Sequence, residues 1–150
     1  MFDYKWSDRM DITGEAPAEE PARQYYFMKK CRVWAAEEEK RIGRKLTLSM
    51  QTMGCQMNAR DSEKLEAILT YIGYEAVEDV TADFILYNTC TVRENANLKV
   101  YGRLGYMKNQ KKKNPRMKIA MCGCMMQEPS VVEKIKKSYP FVDMIFGTHN

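Results

Sequence analysis

The chain is poor in imidazole, in membrane-length apolar runs and in paired cysteines, and each shortage closes off a class of function. One histidine, His149, stands in 150 residues. It is the only imidazole on offer as a zinc ligand, and its late position suits a linker better. No apolar run approaches the ~18 residues that a membrane span requires. The first residues, "MFDYKWSDRMDITGE", lack an apolar segment and carry early acids, so they do not read as a secretory signal. The five cysteines are an odd number with no export signal before them. A disulfide framework is therefore not expected, metal-binding or reactive-thiol roles gain weight, and the expected location is cytoplasmic. Internal repeats are missing, and Lys111–Lys113 is a short basic run.

What is present suits a globular domain with a short extension. Hydrophobic residues make up 45% and charged residues 29% of the chain. A net charge of +4 permits a nucleic-acid partner without demanding one. Residues 1–20 are polar and read as a loose tail. Residues 21–42 read as a helix, with Pro21 at its start, Gly43 as its cap, and Phe27, Cys31 and Trp34 on one apolar face. Cys31 on that face reads as a packed core thiol.

From Lys45 onward, strand-like and helix-like segments alternate. Strands are expected at 45–52, 75–78, 84–88, 117–122 and 142–146. Helices are expected at 58–72, 92–109 and 128–138, the first with Asn58 as N-cap and the second followed by a basic loop, "QKKKNP". This alternation predicts a three-layer α/β domain over 45–150. It would have a mostly parallel sheet of about five strands with flanking helices, preceded by an extension helix within 1–44. One link fits poorly. Only 79–83 joins the second strand to the third, too short for a crossover helix.

The cysteines follow strand ends. Cys55 comes after the first strand, Cys90 after the third, and Cys122 and Cys124 close the fourth in "AMCGCMMQEP". In an open parallel sheet, ligands bind outside the carboxyl ends of the strands, so three thiols there should converge on one rim. Such a set suits an iron–sulfur cluster with one iron not held by protein, zinc with an open or fourth position, or a reactive-thiol pair, although "CGC" lacks the usual two-residue gap. The plainer alternative is four unrelated buried cysteines, for which strand ends at a rim are poor places. Asn58, Asn88, Thr89, Thr91, Arg93, Glu94 and Asn95 flank the thiols. Arg93 and the helix start beyond Cys90 would offset thiolate charge, alongside ordinary capping roles for the group. Lys111, Lys112 and Lys113 read first as a solvated loop and second as a steering patch for RNA phosphates at the opposite edge of the sheet.

Three motifs in order, "GCQMNARDSE", "NTCTVRENA" with "VYGRLG", and "GCMMQ" with "FGTHN", resemble the N-terminal domain of the tRNA methylthiotransferases, a radical S-adenosylmethionine family. The resemblance spans 45–150. It implies that Cys55, Cys90 and Cys124 hold an auxiliary 4Fe–4S cluster with one open iron site. Asn58, Asn88, Thr89 and Arg93 would stand around it, and tRNA would be the partner of the whole enzyme. "GCQMN" is similar to the branch that methylthiolates N6-dimethylallyladenosine at position 37, beside the anticodon. Relatives acting on threonylcarbamoyl-adenosine or on a ribosomal protein are the alternative within the family, and a non-enzymatic zinc or RNA-binding module is the alternative outside it. Two departures stand out. Cys122 is not in the family's pattern and reads as packing. No C-x-x-x-C-x-x-C occurs, so the site for the second 4Fe–4S cluster, which cleaves S-adenosylmethionine, and the RNA-binding module are expected to lie outside this stretch. Taken alone, it is expected to be inactive.

Overall fold

The computed structural model describes residues 4–52, 56–78, 81–89 and 94–147. The chain divides into two compact units, Met1–Leu46 with Leu65–Glu75, and Thr47–Lys64 with Ala76–Asn150.

The first unit is helical. α1 (Tyr4–Arg9) precedes the long α2 (Ala22–Ile42), and the second half of α3 (Gln56–Ile72) belongs here too. Gly43 ends α2 in the left-handed conformation at φ 75°, its N–H donating to Glu39 O at 2.9 Å. The expected loose tail is instead tied to α2. Lys29 Nζ donates to the carbonyls of Asp8 and Met10, Tyr26 Oη donates to Gly14 O at 2.7 Å, and Arg32 pairs with Asp8 at 3.0 Å. Carbonyls that would otherwise need water find side-chain donors. The expected apolar face of α2 is also reversed. Tyr26, Met28 and Ala35 are buried, whereas Phe27, Cys31 and Trp34 are exposed. Helical period marks which residues share a face, but not which face is covered.

The second unit is an α/β sheet. β1 (Thr47–Thr52), β2 (Glu75–Ala76), β3 (Phe84–Thr89), β4 (Lys118–Gly123) and β5 (Met144–Ile145) lie in the order β2-β1-β3-β4-β5. The sheet is parallel throughout: β3 pairs with β1 and β4, β4 with β5, and β2 joins β1 through Val77 N–H to Leu48 O at 2.8 Å. Every residue of β3 is buried, as expected of a central strand covered on both faces.

On one face Ile85, Tyr87, Ile119 and Met121 pack with Val100, Leu104 and Met107 of α4 (Glu94–Lys113) and Ile135 of α5 (Pro129–Ser138). Each such side chain contributes roughly 1.5–3 kcal/mol on burial. On the other face, Asn88 meets Ser62 from the first half of α3. Three layers result, as the alternation predicts.

The register removes the difficulty of the short link. Leu48 receives Val77 on one side and is paired with Phe84 on the other. β2 therefore finishes at the level where β3 starts. The chain has only to cross β1, about 10 Å away for two strand spacings, with no return along a strand.

Most boundaries shift by one or two residues from expectation, and two of the shifts bear on candidate site residues. α3 begins at Gln56, so Asn58 falls in its first turn and is not its cap. α4 continues through Lys113, so the three lysines form its last turn rather than a loop. Lysine is a good helix former, and cations are favoured at a helix C-terminus. Pro115 then disfavours continuation. Among the described residues, no helix is long and apolar enough to cross a membrane.

Candidate functional site

The order 2-1-3-4-5 has a switch point between β1 and β3, where neighbouring connections leave in opposite directions. Clefts form there, outside the carboxyl ends of the strands. The residues that end β1, β3 and β4 are Thr52, Thr89 and Gly123. In sequence, Cys55 follows Thr52 by three positions, while Cys90 and Cys124 follow Thr89 and Gly123 directly.

Cys124 is half-buried and opens a 3-10 turn, Cys124–Gln127. Cys55, Cys90, Thr91, Arg93 and His149 lie outside the described residues. Among the described residues, no group of three His, Cys, Asp or Glu side chains is placed to hold a metal ion. Two of the three candidate thiols are not in that set.

Cys122, two residues earlier, differs in kind. It lies within β4 at 0% exposure. Burial, with a smaller contribution from the Asp61 carboxylate, pushes its thiol up to about 12. A thiol held protonated is a poor ligand, in keeping with a packing role.

The walls beneath the rim are polar and tightly bonded. Asn88 and Thr89, both fully buried, close β3. Asn88 Nδ2 donates to Ser62 Oγ at 3.0 Å, and Thr89 Oγ1 donates to Cys122 O at 2.7 Å. Ser62 Oγ lies 2.6 Å from Thr52 Oγ1. Gly123 has φ 101° and ψ −178°, a conformation essentially restricted to glycine. A Cβ there would stand 2.1 Å from Thr89 O and 2.6 Å from Thr89 N. Ser62 and Gly123 are not singled out by sequence. A serine within a charged helix segment and a glycine between two cysteines signal nothing until register places them. On the helical face of the sheet, the Tyr87 hydroxyl is buried with no hydrogen-bond partner among the described residues, and burial raises its pKa.

The three lysines do not act alike. Lys111 Nζ donates to Phe141 O at 2.8 Å and pairs with Asp143 at 2.7 Å, whose same oxygen accepts Ile119 N–H at 2.8 Å. Lys111 thus fastens α4 to the starts of β4 and β5, at the edge opposite the rim, whereas Lys112 and Lys113 are exposed. Lys111→Gln is expected to lower unfolding free energy by about 1–2 kcal/mol. The Lys112→Gln, Lys113→Gln double variant should leave stability unchanged in urea titrations. If those two steer RNA, their loss should flatten the slope of log affinity against log salt by roughly 0.7–0.9 per contact; an unchanged slope returns them to solvation.

Comparison with known proteins places this arrangement. Residues 47–147 match the family described as "Uncharacterized protein family UPF0004". The chain is similar to three proteins named tRNA-2-methylthio-N(6)-dimethylallyladenosine synthase. Against that of Lachnoclostridium phytofermentans it is 62% identical over 120 residues, covering 80% of this chain and 26% of the relative. For Acetivibrio thermocellus the identity is 51% over 133 residues, covering 88% and 28%. For Clostridioides difficile it is 50% over 147 residues, covering 96% and 30%. The chain therefore spans less than a third of the length of these relatives. The matched segment begins at the first residue of β1 and contains the whole rim, and by that match the chain belongs to the uncharacterized protein family UPF0004.

Proposed function

We propose that 45–150 is the cluster-holding N-terminal domain of a tRNA methylthiotransferase that converts N6-dimethylallyladenosine at tRNA position 37 to its 2-methylthio form, with 1–44 as an extension. The observation that carries this reading is the position of three cysteines in the sequence, one to three residues after the ends of β1, β3 and β4, in a chain 50–62% identical to proteins bearing that enzyme's name.

The donor set fits the group. Thiolates are soft ligands, and a set of three suits an iron–sulfur centre. Cys55, Cys90 and Cys124 would hold a 4Fe–4S cluster through three irons. When bound, the cluster supplies an open iron at which sulfur can be attached. The chain's own residues hold and shape the place. α3 starts at the residue after Cys55, so the positive end of its dipole favours a thiolate there. Asn88 and Thr89 are buried in the wall and donate to Ser62 Oγ and to the Cys122 carbonyl. Asn58 and Arg93, close to the thiols in sequence, would add an amide and a cation to the surroundings. Cleavage of S-adenosylmethionine, at a second 4Fe–4S cluster, falls to the part of the relatives' length that this chain does not span. The same part would carry the RNA-binding module that grips tRNA. The reaction belongs in the cytoplasm.

The test is anaerobic reconstitution of the full-length protein with iron and sulfide, then incubation with S-adenosylmethionine, a low-potential reductant, sulfide and tRNA carrying N6-dimethylallyladenosine. A brown protein with iron and sulfide in equal amounts, and a methylthio mass gain on that nucleoside, are expected. A colourless protein containing zinc overturns the reading. Modification of threonylcarbamoyl-adenosine or a ribosomal protein instead moves it to another branch of the family.

A further inference from the structure

One solvent-facing stripe of α2 alternates cations with aromatic rings. Arg23, Phe27, Lys30 and Trp34 stand at i, i+4, i+7 and i+11, which is one face of a helix. Phe27 is 42% and Trp34 44% exposed, so the fold does not use either ring for its core. Apolar side chains scattered singly over a surface need no explanation. Here two large rings share a face, and a cation stands within one turn of each. The Arg23 guanidinium lies 5.1 Å from the centroid of the Phe27 ring. Lys30 lies between the two rings in sequence, its ammonium 5.2 Å from the centroid of Tyr26.

The charge on this stretch has one sign. From Ala22 to Ala36 the helix carries Arg23, Lys29, Lys30 and Arg32 and no acid. Two of these cations are engaged. Lys29 donates to the carbonyls of Asp8 and Met10, and Arg32 pairs with Asp8 and lies over the Tyr71 ring at 4.7 Å. Arg23 and Lys30 have no carboxylate partner among the described residues. Arg23 gives one N–H to Pro17 O at 3.4 Å, and its other donors remain. The acids nearest in sequence are committed or distant: Glu20 accepts Gln24 N–H at 3.0 Å, Glu38 pairs with Arg41 at 2.7 Å, and Glu37 stands beyond Trp34 at the far end of the stripe. An apolar protein partner would bury two unpaired cations here, at a cost in desolvation. A single-stranded polyanion with flat bases suits both parts of the stripe, its bases on the rings and its phosphates on the cations. Phe27 and Trp34 are about 10 Å apart along the axis, so each takes its own base. A duplex, whose base faces are hidden in the stack, offers the rings nothing.

We propose that the Arg23–Phe27–Lys30–Trp34 face of α2 binds a single-stranded segment of RNA, by base stacking on the two rings and phosphate contact at the two cations. The choice of RNA rests on the tRNA reading given above. The proposal gives the extension a task of its own, apart from holding a cluster. α2 lies outside the segment matched to the family, 47–147. It lies inside the alignment with the Clostridioides difficile relative, which takes in 96% of this chain, too much to omit a helix of 21 residues.

The experiment uses the full-length protein and end-labelled tRNA carrying N6-dimethylallyladenosine, with affinity read by fluorescence anisotropy over a salt series. Trp34→Ala and Phe27→Ala should each weaken binding roughly tenfold and leave the slope of log affinity against log salt unchanged. Trp34→Phe keeps a π-face and should restore most of the affinity. Arg23→Gln and Lys30→Gln should each flatten the slope by about 0.7, the value for one phosphate contact on a single strand. Val33 is as exposed as Trp34 but lies off the stripe, so Val33→Ala should bind as the wild type does. The fluorescence of Trp34, taken as wild type minus Trp34→Phe, should be quenched by a single-stranded RNA oligonucleotide and not by an RNA duplex of the same length. Wild-type affinity in both ring variants, an equal loss from Val33→Ala, or equal quenching by the duplex overturns the proposal. So does a Trp34 that acrylamide fails to quench in the absence of RNA, because protein would then cover that face. The two readings separate cleanly. Ring-dependent RNA binding without a methylthio product leaves the RNA face standing and removes the enzyme reading. A methylthio product with both ring variants binding as the wild type does the reverse.

Discussion

Alanine at Cys55, Cys90 or Cys124 is expected to remove most of the iron bound by the reconstituted full-length protein, whereas alanine at Cys31 or Cys122 should leave it in place. A cluster held by three thiolates has no spare ligand to offer, so loss of any one should lower retained iron at least about tenfold, in line with or beyond what even outer-shell changes cost. Cys31 sits on the exposed face of α2, in the other compact unit. Cys122 is the demanding control, because it lies two residues from Cys124. Its side chain is fully buried inside β4, and only a break in that strand would bring it to the rim. Far-UV circular dichroism should be unchanged in all five variants, because Ile85, Leu104, Ile119, Met121 and Ile135 form a core that needs no metal. Iron and acid-labile sulfide per protein decide the matter. Equal loss from Cys122→Ala and Cys124→Ala would show that the wrong member of "CGC" had been assigned.

The parts of this arrangement that are legible in sequence are those with a short-range cause. The run "FILYN" announces a strand covered on both faces, and β3 is that strand. Pro129 and the spacing of Val131 and Ile135 announce α5. The pattern of cysteines after strand ends needs only the order of elements along the chain. What escapes has long-range causes. The order β2-β1-β3 is decided by which strand pairs with β1, and the short link to β3 looks forbidden until the register puts Val77 and Phe84 at the same level. Lys111 looks like its neighbours because its partner, Asp143, is far along the chain. The exposed face of α2 looks like a core face because Phe27 and Trp34 are apolar, yet the side chains it buries are Tyr26, Met28 and Ala35. Ser62 gains a role only when Thr52 and Asn88 come within reach of its hydroxyl.

Gly123→Ala is expected to be the most disruptive change outside the core, costing about 3 kcal/mol or more in unfolding free energy and lowering bound iron as well. Two costs add. At φ 101° and ψ −178° an L-residue is held in a region that only glycine enters freely. The new methyl would also stand 2.1 Å from Thr89 O, 2.6 Å from Thr89 N and 2.8 Å from Asn88 Oδ1. The first two are main-chain atoms of the central strand and cannot swing aside as a side-chain tip could. Relief requires the end of β4 to move away from the end of β3, which breaks the pairing of Thr89 with Gly123 and strains the Thr89 hydroxyl bond to Cys122 O. Cys90 and Cys124 follow those paired residues directly in sequence, so on the proposed ligand reading a stability change and a loss of iron should appear together. Gly102 and Gly105 supply the internal comparison. Both lie on the exposed side of α4, where an added methyl would meet nothing within 4 Å, and alanine there should be neutral or stabilise the helix by up to about 1 kcal/mol. Urea midpoints for the three variants, with iron content for Gly123→Ala, make the comparison. A Gly123→Ala protein within about 0.5 kcal/mol of wild type, the range of ordinary surface changes, would mean that the close approach of β3 and β4 at their carboxyl ends does not require glycine there.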